Sequence, residues 1–406
     1  MDIRPFDLKK DSRAVERIWY ECGWVENETQ ASFVKDFLST GNCIVGCLDG
    51  VAECQVLTVP GTIHHLDQPL KLCAVTAVTT SRIARKQGFA RVMTAQQLAT
   101  AALEGAEVAA LGMFDQGFYD QVGFGTGAYE HMIRFDPTTL QVDAPFRVPA
   151  RLTKDNWADI HGAIVGRLKH HGAVVLDPPL IMKGELAWHE NGFGLGYYDG
   201  KALSHFFWAE AKDEHGPYEI SFIAYRSVDE LVELLALIKS LGDQVSSFVV
   251  QEPAHLQLQT LLKQPFRNRR NTFRSNFENI HRTEAWWQVR LLDVAACLER
   301  FSWSGEAFEF NLELTDPAAD FLSGEEWQGV GGEYVVRIGE RSDAQAGSRT
   351  GLPTLTASIN TFSRLFFGIA SATEQLIAPD FAAPDELIRQ LDAAFCLPRM
   401  TTSWDF

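Results

Sequence analysis

The chain has 406 residues, 46% of them hydrophobic, enough for two or three units that each bury a core of their own. Its 53 acidic and 36 basic side chains leave a formal charge of −17, a surface that argues against nucleic acid and anionic membrane as partners and suits a cationic small molecule or basic peptide. Seven scattered cysteines without Cys-x-x-Cys spacing, a charged stretch from Met1 to Lys10 and the lack of any apolar run near the ~18 residues of a membrane span point to a reduced cytoplasm.

Residues 1–140 read as one alternating α/β unit. Ile3 to Phe6 suits a short strand, and Asp11-Ser12 a cap for a helix through Val15, Ile18 and Trp19. Ala31 to Leu38 suits a second helix, and Asn42 to Leu57 a hairpin turning at Asp49-Gly50. The run Ala74-Val75-Thr76-Ala77-Val78-Thr79-Thr80 reads as a buried strand, and Arg91 to Leu103 as a helix. Val108 to Gly112 is a further buried strand, and Gly127 to Phe135 closes the unit. A second unit spans 141–285, with the strand Glu219 to Arg226, the helix Val228 to Leu241 and the strand Ser246 to Val250. The polar stretch from Pro265 to Arg282, with Arg267, Arg269, Arg270, Arg274 and Arg282, reads as a solvated linker or subunit contact. The third unit spans 286–406. Its expected strands lie at 288–294, 307–314, 334–338 and 354–357, and its helices at 295–301, 359–368 and 385–395.

Between the first buried strand and its helix stands Arg85-Lys86-Gln87-Gly88-Phe89-Ala90. Backbone N–H groups at a helix start lack partners and carry partial positive charge. A glycine there lets an anion approach the backbone, and the two basic side chains add formal charge. The loop is a cradle for a pyrophosphate. The second unit repeats the strand–helix–strand order, but Tyr225-Arg226-Ser227-Val228-Asp229 stands at its turn, so a repeat would have lost that site. His64-His65 with Asp67 reads as a tight hydrophilic turn, and no metal is expected. Gly192 to Gly196 and Gly123 to Gly127 have the look of dinucleotide loops, but the second leads into a strand, against a Rossmann site.

Arg-x-x-Gly-x-Ala after such a strand resembles the acetyl-CoA signature of the GNAT acetyltransferases. With Phe114-Asp115-Gln116-Gly117-Phe118-Tyr119 downstream, a motif-less second copy, Arg364-Leu365-Phe366-Phe367-Gly368 and the aromatic end Thr402-Ser403-Trp404-Asp405-Phe406, the whole chain resembles the enhanced intracellular survival (Eis) family. That resemblance implies an α/β (α+β) fold, with two tandem GNAT-like mixed sheets with flanking helices plus a sterol-carrier-protein-like α+β domain. It implies acetyl-CoA as co-substrate without a metal. The acceptor would be the amine of an aminoglycoside, polyamine or lysine-bearing peptide, and the assembly a homo-oligomer, a hexamer or smaller.

Carried over residue by residue, Val78, Thr79 and Thr80 lie along the pantetheine, and Arg85, Lys86, Gln87, Gly88, Phe89 and Ala90 hold the pyrophosphate. Tyr119 matches the acid and the Phe406 carboxylate the base. Trp24, Glu26, Phe114 and Asp405 are acceptor-pocket candidates, although the family often has Ser or Pro where Phe114 stands. The resemblance must still satisfy acid–base chemistry. A free tyrosine titrates near 10 and a thiol near 8.5, so full proton transfer to the thiolate is uphill by about 2 kcal/mol. Tyr119 therefore reads first as a hydrogen-bond donor. Direct deprotonation of an alkylammonium by an α-carboxylate is uphill by about 9 kcal/mol. A water relay, an amine of lowered pKa, or simple positioning of the ammonium are the alternatives for Phe406. The competing function is a non-catalytic acyl-CoA or lipid binder that uses the third unit.

Overall fold

The computed structural model describes residues 1–114 and 117–404, without the side chains of 268 and 269. Among these residues the chain forms an α/β fold of three sheets with flanking helices.

The first sheet runs in the order Asp2–Pro5, Asn42–Leu48, Val51–His65, Gln68–Thr80, Val108–Gly112, Trp287–Leu291 and Gly125–Thr126, with Val174–Leu176 paired on the outer part of Val51–His65. Asp49 and Gly50 both take positive φ, 49° and 77°, as the hairpin turn between the second and third of these strands requires. The first helix, Leu8–Cys22, is capped by Asp7, whose carboxylate accepts from the amides of Lys9 and Lys10. Asp11, expected at that cap, lies one turn inside and is buried against Arg4 at 2.6 Å. Its carboxylate also accepts from the Asp7 amide, so the acidic residue serves the helix start from within.

The helix Phe89–Leu103 lies across the sheet and buries Met93, Ala95, Leu98 and Ala99. Gly46 faces it, and a Cβ there would come 2.5 Å from the Phe89 ring, so a bare backbone sets this close approach. A side chain of Leu or Met size buried this way contributes about 2 kcal/mol.

The second sheet runs Ile280–Glu284, Glu130–Phe135, Phe248–Gln251, Tyr218–Ala224, Ala202–Ala211, Gly192–Asp199 and Ala150–Leu152. Tyr218–Ala224, the helix Val228–Ser240 and Phe248–Gln251 repeat the parallel strand–helix–strand arrangement of Gln68–Thr80, Phe89–Leu103 and Val108–Gly112. The glycines from Gly192 to Gly196 lie inside a strand, where Gly192 and Gly194 make room for the Trp208 ring.

Strand exchange ties the units together. Glu130–Phe135, expected to close the first unit, instead belongs to the second sheet. Trp287–Leu291 pairs with Val108–Gly112 and with Gly125–Thr126 in the first sheet. The third sheet runs Asp343–Ala346, Gly332–Ile338, Phe308–Thr315, Thr354–Ser358 and Phe381–Ala382. The helix Ile359–Phe366 packs between this sheet and the first, and Asp385–Ala394 packs against the short helix Ala372–Gln375 and joins the same core through buried Leu387 and Leu391.

Candidate active site

The parallel strands Gln68–Thr80 and Val108–Gly112 pair only from Leu72↔Val108 to Val75↔Leu111. Beyond Val75 the first strand continues to Thr80 while the second ends at Gly112, so the pair opens like a V. The opening begins at a bulge. Leu57 faces Thr76 and Gln55 faces Thr79, which leaves Ala77 and Val78 opposite a single residue. Ala77 is held at φ 50°, a costly conformation for a residue with a Cβ. Gln55 fixes it by donating its side-chain amide to the Ala77 carbonyl at 3.2 Å.

At the outer end of the same strand the chain turns through Arg85, Lys86 and Gln87, all exposed, to Gly88 at φ 84°. The helix starts at Phe89, two residues before the expected Arg91. No side chain caps it, so its first N–H groups are free to meet an anion. Phe89 is buried as an anchor and Ala90 is partly buried at the first turn. A Cβ on Gly88 would meet Met1 Cε at 3.2 Å. Thr79 is buried, and the Thr80 hydroxyl sits 3.3 Å from Cys54 Sγ.

Tyr119 opens the short helical turn Tyr119–Val122 and is 2% exposed. Its ring meets Phe118, Phe114 and Phe124 edge to face at 4.9, 6.2 and 6.2 Å. Burial pushes its pKa well above the ordinary tyrosine value, and nearby Cys54 adds to this. The phenol is therefore a neutral donor, and its hydroxyl makes no hydrogen bond among the described residues.

The turn is clamped from the third unit. Asn360 donates its side-chain amide to the Asp120 and Phe124 carbonyls at 3.0 and 2.8 Å. Gln288 donates to the Asp120 carboxylate at 2.6 Å. Arg290, fully buried, donates to the Val122 carbonyl and pairs with Asp316 at 2.6 Å.

Tyr119, Val78 and Ala77 reach a cavity of about 760 Å³. Trp24 and Phe114 join its wall, and Trp24 packs edge to face on Trp19 at 5.5 Å. Glu26 is exposed and does not line it. The opposite wall comes from the second sheet: Met132, Arg134, Glu219, Ser221, Gln251 and Arg282. Glu185, His189 and Lys212 also face in. Sequence reading missed this wall, because its residues lie on separate strands and carry no contiguous motif. The one available signal was the alternation of polar side chains at 219 and 221, and at 282 and 284, along strands.

Trp404 closes the cavity and stacks at a tilt on Phe222 at 6.1 Å. The segment before it is strapped down. Val174 donates to the Thr402 carbonyl at 3.0 Å, and Thr402 donates its own amide to Glu130 Oε1 at 3.0 Å. Asp405 and Phe406 lie outside the described residues. No group of three or more His, Cys, Asp or Glu is placed to hold a metal among the described residues.

A strand splayed from its parallel partner, a bulge at the fork and an uncapped glycine-led helix beside it frame the candidate site. Residues 2–127 match the family model of the GNAT acetyltransferase domain, a class that uses acetyl-CoA. The protein is an acetyltransferase. The fold is also that of several solved structures over the full length. A GCN5-related N-acetyltransferase from Anabaena variabilis ATCC 29413 is 14% identical with a TM-score of 0.78, covering 100% of each chain. Eis1 from Mycobacterium abscessus is 15% identical with a TM-score of 0.77, again covering 100% of each chain. A probable N-acyltransferase from Enterococcus faecalis V583 is 16% identical with a TM-score of 0.76, covering 99% of this chain and 97% of the other. No curated protein matches the chain by sequence. Among the described residues no helix is long and apolar enough to cross a membrane.

Proposed function

We propose that this protein is an Eis-type N-acetyltransferase that moves the acetyl group of acetyl-CoA directly to an amine held between the first and second sheets. The observation that carries this reading is the cavity itself, which joins the fork at Ala77 and Val78 to Tyr119 on one side and to a polar second-sheet wall on the other. In this reading Arg85 to Ala90 hold the pyrophosphate, and Val78, Thr79 and Thr80 flank the pantetheine. The backbone at the bulge donates to the thioester carbonyl.

The amine must arrive unprotonated or lose its proton in the site. The carboxylates that follow Trp404, at Asp405 and Phe406, take the role of base or ammonium anchor. Tyr119 donates a hydrogen bond to the departing thiolate. A phenol kept neutral by burial suits that role better than full proton transfer, since its pKa is raised further above that of a thiol. Trp24 and Phe114 shape the acceptor end.

The acceptor read from the sequence is a cationic amine of aminoglycoside, polyamine or lysine type. The third unit, read from the sequence as a sterol-carrier-protein-like α+β domain, supplies Asn360, which braces the tyrosine turn. A cytoplasmic homo-oligomer completes the proposal.

Thiol release from acetyl-CoA, followed across amines of these three types with mass spectrometry of the products, tests it. Acetylated amine and free CoA in equal amounts are expected. Extending the chain past Phe406 by one residue is expected to cut turnover heavily and spare acetyl-CoA affinity. Tight CoA binding with no amine acetylated would overturn the reading.

A further inference from the structure

The cavity is electrically two-ended. Met113, at the fork of the first sheet, donates its amide to the Trp286 carbonyl at 2.7 Å. The residues next to Trp286 therefore lie near the fork, and the edge strand Ile280–Glu284 leads away from it. Glu284 faces Glu130 across the strand pair, while Ile280 faces Arg134. At ~3.3 Å per residue, Arg282 stands ~7 Å and Arg134 ~13 Å farther from the fork than Glu284 along the strands. Glu185, from the helix Leu180–Trp188, also lines the cavity. Glu284 thus stands nearest the fork, and the two guanidiniums lie farther along, beside the Lys212–Glu219 pair.

The far end carries two guanidiniums held by no ion pair among the described residues. Arg134 donates from Nε to Ser247 Oγ and from Nη2 to the Asn276 carbonyl, both at 3.0 Å, so its guanidinium is held by neutral groups. Arg282 lies on the neighbouring strand and lines the same cavity. Among the described residues neither guanidinium has an ion-pair partner. The third cation at this end, Lys212, is already matched by Glu219 at 2.6 Å. Two arginines on adjacent strands, without an ion-pair partner among the described residues, repel each other unless an anion sits between them. The whole-chain charge of −17 makes two unpaired arginines facing one cavity the more notable.

We propose that Arg134 and Arg282 form an anion subsite, so that the preferred acceptor is an amine carrying a carboxylate or phosphate at its other end. This rests on the acetyl-transfer reading and narrows it away from polycations. The ammonium end would face Glu284, and the anionic end would reach between the two guanidiniums.

A matched acceptor series tests it: hexylamine, aminohexanoate, aminopentyl phosphate and hexanediamine, with longer homologues up to ten carbons, each followed by thiol release from acetyl-CoA. Anion-ended amines are expected to exceed the neutral amine in kcat/KM by about tenfold, with the diamine lowest. The carboxylate and phosphate arms separate the two sources of the anion. In Arg282→Gln, on the exposed edge strand, the ratio of anion-ended to neutral kcat/KM is expected to fall toward one. A diamine equal to or better than the anion-ended amines would overturn the subsite while leaving acetyl transfer intact. So would a ratio unchanged by Arg282→Gln. CoA binding with no acceptor acetylated in any arm would overturn the acetyl-transfer reading and the subsite together.

Discussion

Asn360 donates its side-chain amide to the Phe124 carbonyl at 2.8 Å, and that bond joins a helix of the third unit to the turn that carries Tyr119. The same amide holds the Asp120 carbonyl at 3.0 Å. Asn360→Ala removes the donor on the Phe124 carbonyl at about 1–3 kcal/mol, while the Asp120 carbonyl keeps the Gly123 amide at 3.1 Å. It is expected to lower kcat by about tenfold through misplacement of the tyrosine, with KM for acetyl-CoA near normal. Steady-state kinetics beside a denaturation curve will separate the two effects. An unchanged kcat in a destabilised protein would show that the third unit does not position the turn.

Tyr119→Phe keeps the aromatic packing with Phe118 and Phe124 and removes only the hydroxyl. A loss of about 10²-fold in kcat is expected, the usual cost of one donor aimed at developing charge. Because burial holds the phenol above its ordinary pKa, no tyrosine limb should appear in the wild-type rate below about pH 10. An alkaline fall in rate at lower pH that vanishes in the Phe variant would contradict the raised pKa of the buried phenol.

Gly88 sits at φ 84°, where an L side chain is strained, and its Cβ would crowd Met1 Cε. Gly88→Ala also closes the approach to the free N–H groups of the helix start. KM for acetyl-CoA should rise by about tenfold while kcat at saturation changes little. Titration of CoA into the variant checks the same point without turnover. Unchanged affinity would move the pyrophosphate elsewhere.

A cluster of histidines holds the three units together. His65 stacks on Phe366 at 4.2 Å and lies 3.0 Å from its carbonyl. His170 meets Ser403 at 3.1 Å, beside the terminal strap. Burial pushes the pKa of His65 down to about 3 and of His170 down to about 4. Both are neutral in the fold, whereas the unfolded chain protonates them below about pH 6.5. Stability is then full above about pH 6.5 and falls as pH drops toward the folded values, by about 1.4 kcal/mol per pH unit for each histidine. Denaturant midpoints between pH 4 and 7 measure this slope. His65→Gln should make it shallower, and an identical acid slope would remove His65 from the account.

Local chemistry explains which parts of this molecule the sequence made legible. The strand, loop and helix from Leu72 to Leu103 were readable because a β-branched run, a basic turn and a glycine needing positive φ stand side by side. The repeat of strand, helix and strand at 218–251 was readable from its apolar periods. The strand Gly192–Asp199 was not, because four of its eight residues are Gly or Asp and only the unseen bulk of Trp208 gives those glycines a reason. Nor does a residue pattern announce that Trp287–Leu291 crosses into the first sheet, since both faces of the strand are buried in either sheet. The second wall of the cavity was hidden for the same reason. Arg134, Ser221, Gln251 and Arg282 become neighbours only through strand order.

The central claim is that the fork beside Val78 presents the thioester to Tyr119 inside the cavity. A structure of the protein bound to CoA measures it most directly. The account predicts the CoA sulfur between the two splayed strands, within about 3.5 Å of the Tyr119 hydroxyl, with the pyrophosphate on the amides that follow Gly88. A sulfur pointing away from the cavity, or a pyrophosphate seated elsewhere, would contradict it.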